Sequence, residues 1–237
     1  MIELQSMAVE MPEVEGHPNR AAFRGVLTVV DVASHRAPDG SKGHRVVLTR
    51  KAAEAALPSL MGMALDYAPS YDRHDQRRKV GVITSAEVVG RNLEVGGYLY
   101  AKDFPEVVEE IAKSGRRIAA ASDFLSSKSP FLAKATRSEA PRRWGDERRM
   151  RSELAEAVER LRELTAGMTG RRIESLRAVS DVAAGTDGGL GMSFEVANAI
   201  LADSRAKVWT LTKVIFTGAA ILRKKCAAYQ DTWIEMV

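Results

Sequence analysis

The run Gly189 to Ala199, GLGMSFEVANA, and the run Lys207 to Leu222, KVWTLTKVIFTGAAIL, decide how this chain is read. Both are rich in β-branched and aromatic residues and read as strands. In the first run Gly189 and Gly191 precede Ser193. Glycines before a serine let backbone N–H groups turn toward a developing negative charge, so Ser193 stands where a nucleophile would. The pattern is not the Gly-x-Ser-x-Gly elbow of many hydrolases, because Glu195 and Val196 follow where a second glycine is needed. A serine in a strand becomes chemistry only when a base reaches it.

Working outward, strand patterning recurs near the other end of the chain. FRGVLTVVDV, from Phe23, and RVVLT, from Arg45, read as strands, separated by a loop holding Pro38 and Asp39-Gly40. RKAAEAALPSLMGM reads as a short helix with Thr49 as its N-cap and Pro58 interrupting it. Val80–Val89 and Asn92–Ala101 read as two strands joined around Gly90-Arg91-Asn92, a hairpin. FPEVVEEIAKSG, from Phe104, reads as a helix whose apolar face is Val107, Val108 and Ile111.

The middle of the chain reads differently. Residues 116–188 carry 15 Lys+Arg and 11 Asp+Glu, and the remainder carries 20 of each, so the whole basic excess of +4 lies there. Met150, Leu154, Val158, Leu161 and Met168 form an amphipathic stripe, and charges of both signs surround it, as on a solvated helix face. Arg137, Arg142, Arg143, Arg148, Arg149 and Arg151, with Trp144, offer a minor nucleic-acid reading. The interleaved acids and the lack of a recognised binding motif argue against nucleic acid as a partner. The expected fold is α+β: a small antiparallel β-barrel flanked by helices, formed by residues 22–115 and 189–237. A helical insertion, 116–188, interrupts it, and residues 1–21 precede it as a flexible arm.

Several classes of chemistry are disfavoured. A lone Cys226 allows no intrachain disulfide. The histidines His17, His35, His44 and His74 have no His or Cys partner at metal-ligand spacing, so neither a metal nor another cofactor is expected. No phosphate-binding glycine loop occurs. The N-terminus does not read as a signal peptide, and the apolar stretch Val214–Leu222 is too short to span a bilayer, so a cytoplasmic protein with no membrane partner is expected. His74 remains as the candidate base, in YDRHDQRRKVGVI at a strand entrance.

Taken together, these blocks resemble the prohead serine proteases of tailed phages, a family similar in fold to the herpesvirus capsid-assembly proteases. FRGVLTVVD, LTRKAAEAALPSLMGMAL, DRHDQRRKVGVITSAEVVGRNLEVGGYLYAKD, GLGMSFEVANA and VWTLTKVIFTGAAILRKKCAAYQDT carry the resemblance, and the last two are the most specific. They leave out only the N-terminal arm and residues 116–188. The resemblance implies that Ser193 is the nucleophile and His74 its general base, with backbone N–H groups at Met192 and Ser193 holding the oxyanion. It implies an endopeptidase of capsid maturation in the bacterial host cytoplasm, acting inside the procapsid on capsid and scaffold protein segments.

The third member of the site departs from the family's pattern. No histidine follows His74, and TLTKVIF carries no carboxylate where phage members often place an acid. Glu195 is the nearest substitute, since residues two apart in a strand share a face. Asp75 is a poorer candidate because sequence neighbours in a strand face opposite ways. The insertion 116–188 is the second departure, and self-association through it is one expectation. The alternative function is an inactive protease-fold assembly protein that binds partners through that insertion.

Overall fold

The computed structural model describes residues 6–8, 17, 19–115 and 189–237. The segment 116–188, with its expected helical insertion, self-association surface and arginine cluster, lies outside the described residues, as does most of the arm.

The described strands are β1 (Ser6–Ala8), β2 (Ala21–Val29), β3 (Arg45–Leu48), β4 (Ala64–Tyr67), β5 (Lys79–Val89), β6 (Asn92–Leu99), β7 (Leu190–Leu201), β8 (Val208–Arg223) and β9 (Trp233–Met236). Helix α1 (Arg50–Ala56) runs into a 3-10 turn (Leu57–Leu60), and a second helix, α2, covers 105–115. Local chemistry explains the borders. Thr49 caps α1 by accepting the Ala52 N–H at 3.2 Å, and Pro58 falls where the α-helix tightens into the 3-10 turn. Val89 pairs with Asn92, so β5 and β6 turn on Gly90-Arg91, with Gly90 in the left-handed region at φ 58° that such tight hairpins need.

The class is mixed α and β, compatible with α+β, but the sheet does not close into a barrel and is not purely antiparallel. Its path is β3-β8-β4-β5-β6-β2-β9, with β1 added to β5 and β7 added to β8. The reason lies in β8. Its two ends pair in parallel with β3 and with β4 along one edge, and β7 takes the other edge. β7 has no further strand partner among the described residues, so no ladder passes from it to β9 or β2. A side chain bridges that gap instead: the Met192 N–H donates to Thr232 Oγ1 at 3.1 Å, next to β9.

One face of the sheet packs the core. Phe23, Leu27, Leu65, Ile83, Leu99, Met192 and Ile221 are buried there, and Ala52, Ala53, Leu57 and Leu60 of the helical turn cover them. Val107 and Ile111 of α2 join the same core, as the amphipathic reading of that segment expects. Because Met192 and Phe194 face this core, Ser193 and Glu195 between and beyond them face the other side of the sheet.

Candidate functional site

Register places three residues in one row on that second face. Ser193 of β7 is the partner of Ala220 of β8, and Ala220 is also the partner of Asp66 of β4. Directly opposed residues share a face of a sheet. Strands lie about 4.8 Å apart, so Ser193 and Asp66 are separated by roughly 10 Å with only the methyl group of Ala220 between them. An imidazole fits that span.

His74 fills it. The histidine sits in the loop 68–78 between β4 and β5, which folds over the row. Its Nε2 lies 3.2 Å from Ser193 Oγ. Its Nδ1 lies 3.6 Å from Asp66 Oδ1 and 3.7 Å from Glu195 Oε1. Both neighbours of Nδ1 are carboxylates, which only accept, so Nδ1 carries the proton and Nε2 is left to accept from the Ser193 hydroxyl. Neither acid closes to hydrogen-bond distance, and among the described residues the buried Nδ1 has no hydrogen-bond partner. These are ion-pair separations that a small ring movement would shorten.

The loop is held at several points. The Arg223 N–H donates to the Tyr71 carbonyl at 2.7 Å, and Tyr71 is buried against Tyr67. Tyr71 has φ 52°, a left-handed conformation that costs a non-glycine residue about 1–2 kcal/mol, so this anchoring offsets local strain. The Asp75 N–H donates to Asp66 Oδ1 at 3.2 Å. Asp75 thus serves the site through its backbone, while its side chain accepts the Arg77 N–H.

The two acids differ in setting. Asp66 is 1% exposed, whereas the Glu195 side chain is 37% exposed and accepts from Gln76 Nε2 at 3.3 Å. Burial pushes the Asp66 carboxyl up, but the His74 contact, the Asp75 N–H and the Lys79 ammonium outweigh it and hold the group below its ordinary value of 3.8. A buried, ionised carboxylate behind an imidazole is the arrangement that steadies an imidazolium. Glu195 reaches the same nitrogen by lying over Gly218, where a Cβ would stand 2.7 Å from Glu195 Oε2.

Sequence reading therefore located His74, Ser193 and Glu195, and the fold brings all three together. It missed Asp66. The available signal was an acid inside the apolar run ALDYA, eight residues before His74.

Met192 sends its N–H to Thr232, and Arg223, opposite Leu190, sends its N–H away from β7 to Tyr71. Alternation of an antiparallel ladder then turns the Ser193 N–H toward Ala220 and the Phe194 N–H toward the other edge of β7, which pairs with no strand among the described residues. Of the expected oxyanion donors, Met192 is engaged by Thr232 and Ser193 faces the ladder. The Phe194 N–H is turned away from the ladder.

Among the described residues, no group of three or more His, Cys, Asp or Glu side chains is placed to hold a metal ion, and no helix is long and apolar enough to cross a membrane. No family model matches the chain, and no curated protein matches its sequence.

Proposed function

We propose that this chain is a serine endopeptidase of the prohead type, acting through Ser193, His74 and Asp66. The observation that carries the reading is the 3.2 Å contact between Ser193 Oγ and His74 Nε2, made between residues 119 positions apart in sequence with a buried carboxylate behind the ring. Ser193 Oγ would attack a peptide carbonyl carbon while its proton passes to Nε2. The resulting imidazolium, steadied by Asp66, would give that proton to the departing amine as the C–N bond breaks. Water would then release the acyl group from Ser193 by the same relay.

The edge of β7 opposite β8, which pairs with no strand among the described residues, suggests how substrate would lie. An extended segment adding alongside Phe194 would bond that edge as a strand and bring its carbonyl beside Ser193. Extended scaffold and capsid-protein segments, met inside a procapsid in the bacterial cytoplasm, are the substrates that the family resemblance supports.

A second reading is an assembly protein that keeps the fold without turnover, and the open Nδ1 distances of 3.6 and 3.7 Å favour it. Incubating the full chain with scaffold and capsid-protein segments separates the two. New termini that form with wild type and fail to form with Ser193→Ala and His74→Ala support the peptidase. Equal products from all three support the assembly protein.

A further inference from the structure

Lys79 opens β5 directly beside the site, and a defect in the ladder puts it there. β4 and β5 pair Ala64 with Val82 and Leu65 with Gly81. A regular antiparallel ladder would next oppose Val80 to Asp66. Instead a bulge intervenes, and Asp66 is the partner of Lys79. Val80 turns fully into the core, while Lys79 shares the face of Asp66. Bulges of this kind re-aim a side chain beside functional groups.

The consequence is a division of labour between the two carboxylate oxygens. Lys79 Nζ lies 3.3 Å from Asp66 Oδ2. Oδ1 is left for the Asp75 N–H at 3.2 Å and for His74 Nδ1 at 3.6 Å. Among the described residues, the titratable and charged groups around Asp66 are His74 and Asp75 from the loop, Arg78 paired with Asp75, Lys79 from β5, and Glu195 from β7 across the imidazole. From β8 the row contributes the neutral Ala220.

We propose that Lys79 is a positioning residue of this site, holding the second oxygen of Asp66 so that the first stays aimed at His74. Its importance to catalysis rests on the peptidase reading; its hold on Asp66 does not. The Lys79 side chain is 39% exposed, so solvent screens part of its charge and the expected effects are moderate.

The test titrates the Asp66 carboxyl by carbon NMR in wild type, Lys79→Met and Lys79→Arg, with Asp66→Asn to assign the signal. Fluorophosphonate labelling of Ser193 is followed against pH in the same variants. Lys79→Met is expected to raise the Asp66 midpoint by up to about one unit and to slow labelling about three- to tenfold. Lys79→Arg is expected to restore both. Lys79→Gln replaces the Met variant if that variant does not fold. An Asp66 midpoint unmoved by loss of the ammonium would overturn the proposal, as would an Arg variant as impaired as Met. If wild type takes no label, the peptidase reading fails, and the carboxyl titration still decides whether Lys79 holds Asp66.

Discussion

Ser193 and Asp66 flank Ala220 from opposite sides in a single row of the sheet, and the His74 ring spans the row between them. The smallness of residue 220 is what leaves the ring its path. Ala220→Leu would put a branched side chain into that space at an overpacking cost of ~1–3 kcal/mol. A displacement of the base by about 1 Å is enough to slow the reaction roughly 100-fold. Fluorophosphonate labelling of Ser193 should fall by that order while circular dichroism shows a retained fold.

The two acids near Nδ1 are separable. Asp66→Asn replaces a buried carboxylate by an amide that can present its NH2 group to Nδ1, favouring the wrong tautomer. A loss on the order of 10⁴-fold in peptide cleavage is expected, the size seen when the acid of a Ser-His-Asp triad is altered this way. Glu195→Gln, at a half-exposed position, should stay within about tenfold of wild type. The reverse ranking would transfer the third role to Glu195.

Acid stability carries the signature of Asp66. Its carboxyl titrates below its ordinary value of 3.8, so folding favours the ionised form. The resulting stabilisation is fully present above that unfolded-state value and is lost as pH falls through the lower folded value. Urea unfolding of wild type should therefore weaken below about pH 4, and the Asp66→Asn variant should show a shallower decline over that window.

The N-terminal approach to Ser193 depends on Gly191 and Thr232. A Cβ at position 191 would stand 2.5 Å from Thr232 Oγ1 and 3.1 Å from the Thr232 carbonyl oxygen. Gly191→Ala should destabilise by ~1–3 kcal/mol, since the obstruction includes backbone. Thr232→Val keeps the shape but strands the buried Met192 N–H, at a similar cost of ~1–3 kcal/mol. Urea midpoints measure both.

How much of this was legible in the sequence depended on range. β2, the β5–β6 hairpin and β7 with β8 carry their own alternation and turn residues, so local pattern sufficed. β4 did not: four residues, with Asp66 inside, lack the run of β-branched residues that marks a strand. Missing β4 meant missing the acid behind His74. The C-terminal strand β9 is also four residues long and is defined by its partner β2 more than by its own composition. The expected barrel failed for a related reason. Nothing within β8 itself announces that β3 and β4 will both pair along one of its edges, because that depends on contacts more than 150 positions apart. His74 and Ser193 stand out in the sequence because each sits in a distinctive local block.

The most direct measurement is mass analysis of the full chain after treatment with a fluorophosphonate, with peptide mapping of the labelled site. Wild type should gain one adduct, on Ser193, and His74→Ala should remain almost unlabelled under the same conditions. Labelling of His74→Ala at the wild-type rate, or an adduct elsewhere in wild type with Ser193 untouched, would contradict a serine activated by this histidine.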